Sequence, residues 1–129
     1  MERCVVDTSI LISKKLDAVL QCRERYVTAV AVLEYLTWAR RSAEAAEGPR
    51  RRGYLKLIEL LPDLLTSLGL QLVDKIDIDD VRLAARWIVE RQVNPGDALI
   101  SATALRLNAT VLTRDRDWER IPVRSVIVR

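Results

Sequence analysis

Apolar residues along this chain alternate between short solid runs and longer stretches at helical spacing. Residues 4–6 form a brief apolar strand that ends at Asp7. Residues 9–21 set Ile10, Leu11, Leu16, Val19 and Leu20 at helical intervals. Residues 26–27 suggest a very short second strand, and 29–47 a long helix, Ala-rich toward its end and stopped by Gly48-Pro49. Residues 53–68 are helical and rich in leucine, with Pro62 expected to kink or divide them and Gly69 to cap them. A strand at 70–73 precedes a helix at 77–92, whose first turn is acidic as the macrodipole favours. Asn94-Pro95 opens a further helix that runs to about residue 107. Strands at 109–112 and 125–128 complete the pattern.

Strands separated by helices imply βαβ units, hence an α/β domain in three layers, with a short, mainly parallel sheet flanked by helices on both faces. Nearly all-apolar strands suit a sheet covered on both sides. In such folds ligands bind beyond the carboxyl ends of the strands. A length of 129 residues, half of them apolar and 30% charged, implies one domain spanning residues 1–129. The net charge of +3 permits a nucleic-acid partner without requiring one. The chain start is interrupted by Asp7 where a signal peptide needs an apolar core. The longest apolar region, residues 54–73, contains Lys56, Glu59, Pro62 and Asp63, so no membrane span is expected and the reading is a cytoplasmic protein.

The absence of histidine removes several chemistries at once. It excludes a Ser-His-Asp triad, a Cys-His nucleophile, a Cys2His2 zinc site and a histidine general acid. Cys4 and Cys22, the only cysteines, fit no zinc spacing. They read as buried reduced thiols, with a single disulfide as the open alternative. Chemistry must then come from carboxylates, hydroxyls and basic groups.

Four acidic positions stand out. Asp7 follows the first strand, where it could equally cap the next helix. Glu34 has only Val30, Ala31, Thr37 and Trp38 as its i±3 and i±4 neighbours, so it interrupts a weakly polar face. A buried carboxylate there needs a partner; the plain structural alternative is a rim residue bridging to a distant arginine. Asp97 lies in the first turn after Asn94-Pro95, a position that capping alone would explain. Asp115 and Asp117 follow the strand at 109–112, in a run that could be a solvated turn. Together, however, these acids map to one edge of the sheet. Carboxylates converging there repel one another, and a divalent cation relieves the conflict. Oxygen donors without His or Cys point to Mg²⁺ or Mn²⁺, and so to phosphate chemistry.

The segments V-V-D-T-S (5–9), V-L-E (32–34), G-D-A-L-I-S-A-T-A (96–104) and V-L-T-R-D-R-D-W-E-R-I (111–121) resemble those of the PIN-domain ribonucleases, and among them the VapC-like toxins of toxin–antitoxin pairs. They occur in that family's order and spacing and cover nearly the whole chain. The resemblance implies Mg²⁺- or Mn²⁺-dependent hydrolysis of RNA phosphodiesters, with Asp7, Glu34, Asp97 and Asp115 as catalytic and metal-binding acids and Asp117 as the alternative fourth. It implies hydrogen-bond support from Thr8, Ser9 and Thr113, a packing role for Trp118 where the family usually has Phe, a homodimer, and inhibition by an antitoxin protein.

The remaining surface is less specific. Arg40, Arg41, Arg50, Arg51 and Arg52 could contact RNA phosphates or form a solvated basic turn. The leucine-rich helix at 53–68 could be central in the core, or could bury its excess against a second copy or an antitoxin. Tyr26, Tyr35, Tyr54 and the tryptophans lack the sequence spacing of a base-stacking platform. The alternative reading is a non-catalytic RNA- or partner-binding module on the same scaffold, although such a module should have lost at least one acid. An aspartyl phosphatase would want a second Asp two residues after Asp7, where Ser9 stands.

Overall fold

The computed structural model describes residues 1–129. Its centre is a five-stranded sheet in the order β3-β2-β1-β4-β5, formed by β1 (Arg3–Val6), β2 (Glu24–Thr28), β3 (Leu70–Val73), β4 (Thr110–Thr113) and β5 (Ser125–Ile127). Every neighbouring pair is parallel. The helices are α1 (Thr8–Ser13), α2 (Ala29–Ala45), α3 (Gly48–Ser67), α4 (Ile78–Arg91) and α5 (Pro95–Arg106), with 3₁₀ turns at Leu16–Gln21 and Arg116–Arg120. The chain steps outward from β1 through β2 to β3, then crosses back and steps the other way through β4 to β5. Because the direction of travel reverses, crossovers of one hand place helices on both faces and complete the expected three layers.

The core is centred on Val5, Val6, Val27, Val111 and Leu112, all fully buried. Helix α5 is buried on nearly every side, at Ala98, Ile100, Ser101, Ala102, Thr103 and Ala104. Its buried small residues pack against the core, and this packing fixes where the first turn of the helix stands.

Several expectations are corrected. The helix expected at 9–21 is broken: α1 ends at Lys14, in left-handed conformation at φ 60°, and a 3₁₀ turn follows. The second strand is longer than expected because its charged start is satisfied. Glu24 pairs with Arg3, and Arg25 donates to the carbonyls of Cys22 and Leu68. Gly48-Pro49 does not merely stop a helix. Gly48 takes a positive φ of 60° and the dipeptide opens α3 at once. Arg50, Arg51 and Arg52 are thus exposed residues of a helical turn, not of a loop. Pro62 lies inside one continuous helix, exposed to solvent; the Ile58 carbonyl loses its intrahelical donor without the chain breaking. Nor is α3 central. Only Leu61 is buried, while Leu55 and Leu60 are exposed.

Cys4 and Cys22 are buried as expected but are joined in a disulfide, not reduced. Cys4 lies in β1 and Cys22 just before β2, and the parallel pairing of these strands brings their Cα atoms to 5.9 Å. The bond closes a loop with a sequence separation of 18. Reduction is expected to cost about 3 kcal/mol, measured as a lower denaturation midpoint with reductant than without.

A buried ion pair joins the last turn of α5 to the start of α4. Asp80 is only 4% exposed, forms a reciprocal capping box with Asp77, and receives the Arg106 guanidinium at 3.1 Å. Arg106→Ala strands the Asp80 charge. The expected loss is about 2–3 kcal/mol, below the fully buried value because the guanidinium keeps some solvent access; urea unfolding measures it.

Candidate active site

The strand order reverses between β1 and β4. At such a switch point the connections leave in opposite directions and open a crevice beyond the carboxyl ends. Asp7 follows β1 directly and Thr113 ends β4. Asp7 is 4% exposed and caps α1, its Oδ1 accepting from the Thr8 amide at 2.7 Å. Its Oδ2 accepts from the hydroxyls of Ser9 at 2.7 Å and Thr113 at 2.8 Å. Each of these hydroxyls spends its proton on Asp7 and in turn accepts a backbone amide: Arg114 N–H on Ser9 and Asp115 N–H on Thr113. The network orients the Asp7 carboxylate and fixes the turn after β4 in one stroke.

Glu34 comes from the second turn of α2 and is half-buried. Its Oε1 accepts from the Thr8 hydroxyl at 2.7 Å. Its Oε2 lies against Gly96, in the first turn of α5. That helix N-terminus favours a carboxylate. A Cβ on Gly96 would collide with Oε2 and stand 3.0 Å from the Glu34 Cδ. The role of Gly96 was not read from the sequence. Its φ is not in the left-handed region, so no conformational need explains it; close approach does.

Asp97 follows in the same turn, with Asn94 capping α5 through the Gly96 amide. Burial pushes the Asp97 carboxyl up to about 7, and repulsion from Asp7, Glu34, Asp115 and Asp117 adds to it. The five acids therefore share one electrostatic neighbourhood. One turn beyond Asp97, the Ser101 hydroxyl is buried without a hydrogen-bond partner.

The structure distinguishes Asp115 from Asp117. Asp115 caps the 3₁₀ turn at Arg116–Arg120 and is tied to Thr113, the residue that holds Asp7. Asp117 has a side chain 72% exposed and lies 3.9 Å from Arg120. Trp118 is buried, as a packing residue should be, although its Nε1 finds no acceptor.

As placed, no three carboxylates close on one point as a ready ligand set. Their chemistry nevertheless fits a hard divalent cation. Every donor is an oxygen, both cysteines are locked in the disulfide, and the mutual repulsion on Asp97 is the strain a cation removes.

The arginines separate. Arg40 is paired with Glu44 at 3.0 Å, whereas Arg41 and Arg50 form no ion pair and line open grooves. Aromatic residues dispersed in sequence gather in space. Trp38, one turn beyond Glu34, lies 5.6 Å from Tyr35 and 5.8 Å from Tyr54, which comes from α3. The Tyr35/Trp38 spacing on the Glu34 helix was the available signal; the contribution of Tyr54 was not legible.

The family model for the PIN domain matches residues 4–124. No curated protein sequence matches. A solved member of the VapBC family of toxin–antitoxin systems, VapBC-5 from Mycobacterium tuberculosis, is 25% identical, with 99% of this chain and 100% of that one covered at a TM-score of 0.67. A toxin–antitoxin complex from Klebsiella pneumoniae is 18% identical, at 95% of each chain and a TM-score of 0.71. VapBC2 from Rickettsia felis, solved bound to a DNA fragment from its promoter, is 14% identical, at 96% of this chain, 97% of that one and a TM-score of 0.68. With the matched segment spanning all five acids and both strands of the switch point, the chain belongs to the PIN-domain family.

Proposed function

We propose that this protein is a Mg²⁺- or Mn²⁺-dependent endoribonuclease and the toxin of a VapBC-type pair. The observation that supports the reading is the placement of Asp7, Glu34, Asp97 and Asp115 about the switch point, where burial first and repulsion among the acids second raise the Asp97 carboxyl to about 7. Asp7, Glu34, Asp97 and Asp115 would hold the cation. When bound, it supplies positive charge to a phosphoryl oxygen and makes water a stronger acid. The chain's own part is positional. Thr8, Ser9 and Thr113 hold two of the acids in fixed orientation, and the missing side chain of Gly96 leaves room for Glu34. With no histidine in the chain, no imidazole moves a proton.

The partner is an antitoxin protein, as the pairing of the structural neighbours supports. A homodimer is expected to cover part of the exposed apolar face of α3, where Leu55 and Leu60 stand out. No helix is long and apolar enough to cross a membrane, and the expected compartment is the cytoplasm.

The test is incubation of the purified protein with single-stranded RNA and Mn²⁺, with and without EDTA. Cleavage that EDTA abolishes is expected. Cleavage that survives EDTA overturns the metal assignment. An inactive protein that binds RNA, with no Mn²⁺ uptake by calorimetry, is the binding module instead.

A further inference from the structure

An open groove of about 600 Å³ begins at Glu34 and follows α2, lined by Trp38 and Arg41 and reaching Ser42 and Ala45. A second, of about 220 Å³, shares Ser42 and Ala45 and continues to Arg50 and Tyr54 on α3. The two adjoin at Ser42 and Ala45 and together outline a path. It starts at a candidate site acid, passes a tryptophan, and ends between helices, with two arginines along it that no carboxylate neutralises. From residue 34 to 45 the path runs about 16 Å along the helix axis.

Resting on the ribonuclease reading above, we propose that this path is the track for single-stranded RNA, with Trp38 stacking on the base next to the cleaved phosphate and Arg41 and Arg50 contacting the phosphates that follow. Three observations support it. The indole is pre-positioned, because Tyr35 and Tyr54 pack against it at 50° and 86°, so neither lies parallel to it. A rigid aromatic ring offers stacking to any base, as every base has a π-face. Arg41 and Arg50 bring unpaired positive charge, whereas neighbouring Arg40 is held by Glu44. Finally, the groove opens on Glu34 itself, so a strand lying in it delivers its backbone to the acids. The unpaired guanidiniums of Arg41 and Arg50 complement a phosphate backbone, and the indole complements its bases.

The experiment uses a fluorescein-labelled, 2′-O-methylated RNA oligonucleotide, which resists cleavage, in EDTA. Binding is read by anisotropy across a salt series. Trp38→Leu is expected to weaken binding about tenfold. Arg41→Ala and Arg50→Ala should each reduce the slope of log K against log salt by about 0.7. Arg40→Ala should leave affinity within about twofold, since that side chain is already paired. Trp38→Phe keeps an aromatic ring and the packing against the tyrosines, and should recover most of the affinity. A second readout is tryptophan emission. Trp87 and Trp118 are buried, so quenching by the oligonucleotide should report Trp38 and disappear in Trp38→Leu. Wild-type binding with all these variants unchanged overturns the track and leaves the nuclease intact. A wild type that binds no RNA in EDTA overturns the track, while the nuclease reading stands or falls separately on cleavage with Mn²⁺. Normal binding along the groove without Mn²⁺-dependent cleavage preserves the track and removes the catalytic reading.

Discussion

Asp97→Asn is expected to lower RNA cleavage by about 10³-fold while making the metal-free protein more stable at neutral pH. The two effects have one cause. Asp97 is half-buried beside other carboxylates, and its folded pKa is raised from 3.8 to about 7. Between pH 4 and 7 the folded state therefore holds a proton that the unfolded state has released. Stability then falls as pH rises through this window and levels off above it. Asparagine removes the dependence, so the variant gains nothing at pH 4 and its full advantage by pH 8. The whole shift sets a ceiling of about 4 kcal/mol; relaxation and partial solvent access bring the expected gain to about 1–3 kcal/mol. The catalytic loss follows because a neutral amide contributes neither the charge nor the donor strength that a hard cation requires. Denaturation curves at pH 4 and 8 and single-turnover cleavage with Mn²⁺ measure the two effects separately. A variant that cleaves at the wild-type rate, or that is less stable than wild type at pH 8, contradicts the account.

Gly96→Ala is expected to lower cleavage by about 10²-fold with the fold preserved. The new methyl group enters space held by Glu34 Oε2. Because it meets the end of a flexible side chain, the carboxylate moves and the backbone does not. Helix α5 loses nothing by the change, since alanine is the better helix former. A displacement of about 1 Å at a positioned group is enough for a loss of that size. The prediction separates position from presence, as every acid remains in the variant. Its thermal midpoint should match wild type within a few degrees. Wild-type activity in Gly96→Ala would falsify the assignment of Glu34 to the reacting geometry.

The sheet, its helices and the acidic edge were legible because they rest on local signals. Solid apolar runs mark β1 and β4, Asn94-Pro95 marks the start of α5, and each acid follows a strand end or a helix start. The supporting hydroxyls were legible through the family segments, and Thr8, Ser9 and Thr113 do reach the acids. What escaped depends on distant partners. The charged start of β2 looks unlike a strand until Arg3 and the carbonyls near Arg25 are in place. The break after α1 at Lys14 carries no Gly or Pro to announce it. The disulfide needs β1 and β2 to lie side by side, and spacing alone left reduced thiols as the plainer reading. The role of Gly96 needs α2 against α5. The leucines of α3 gave no sign of how exposed that helix would be, because composition does not tell a central helix from a peripheral one.

Asp7 and the Thr113 hydroxyl that holds it are separated by 106 positions in the chain. Strand β1 likewise waits for β4 to complete its pairing on one side. Contacts this distant in sequence form late and slowly. Thr8 and Ser9 hold Asp7 locally, but the Thr113 hydroxyl and the turn after β4 reach it only once β1 and β4 lie side by side. The fully braced Asp7 carboxylate is therefore a late product of folding, assembled only when both halves of the sheet have joined.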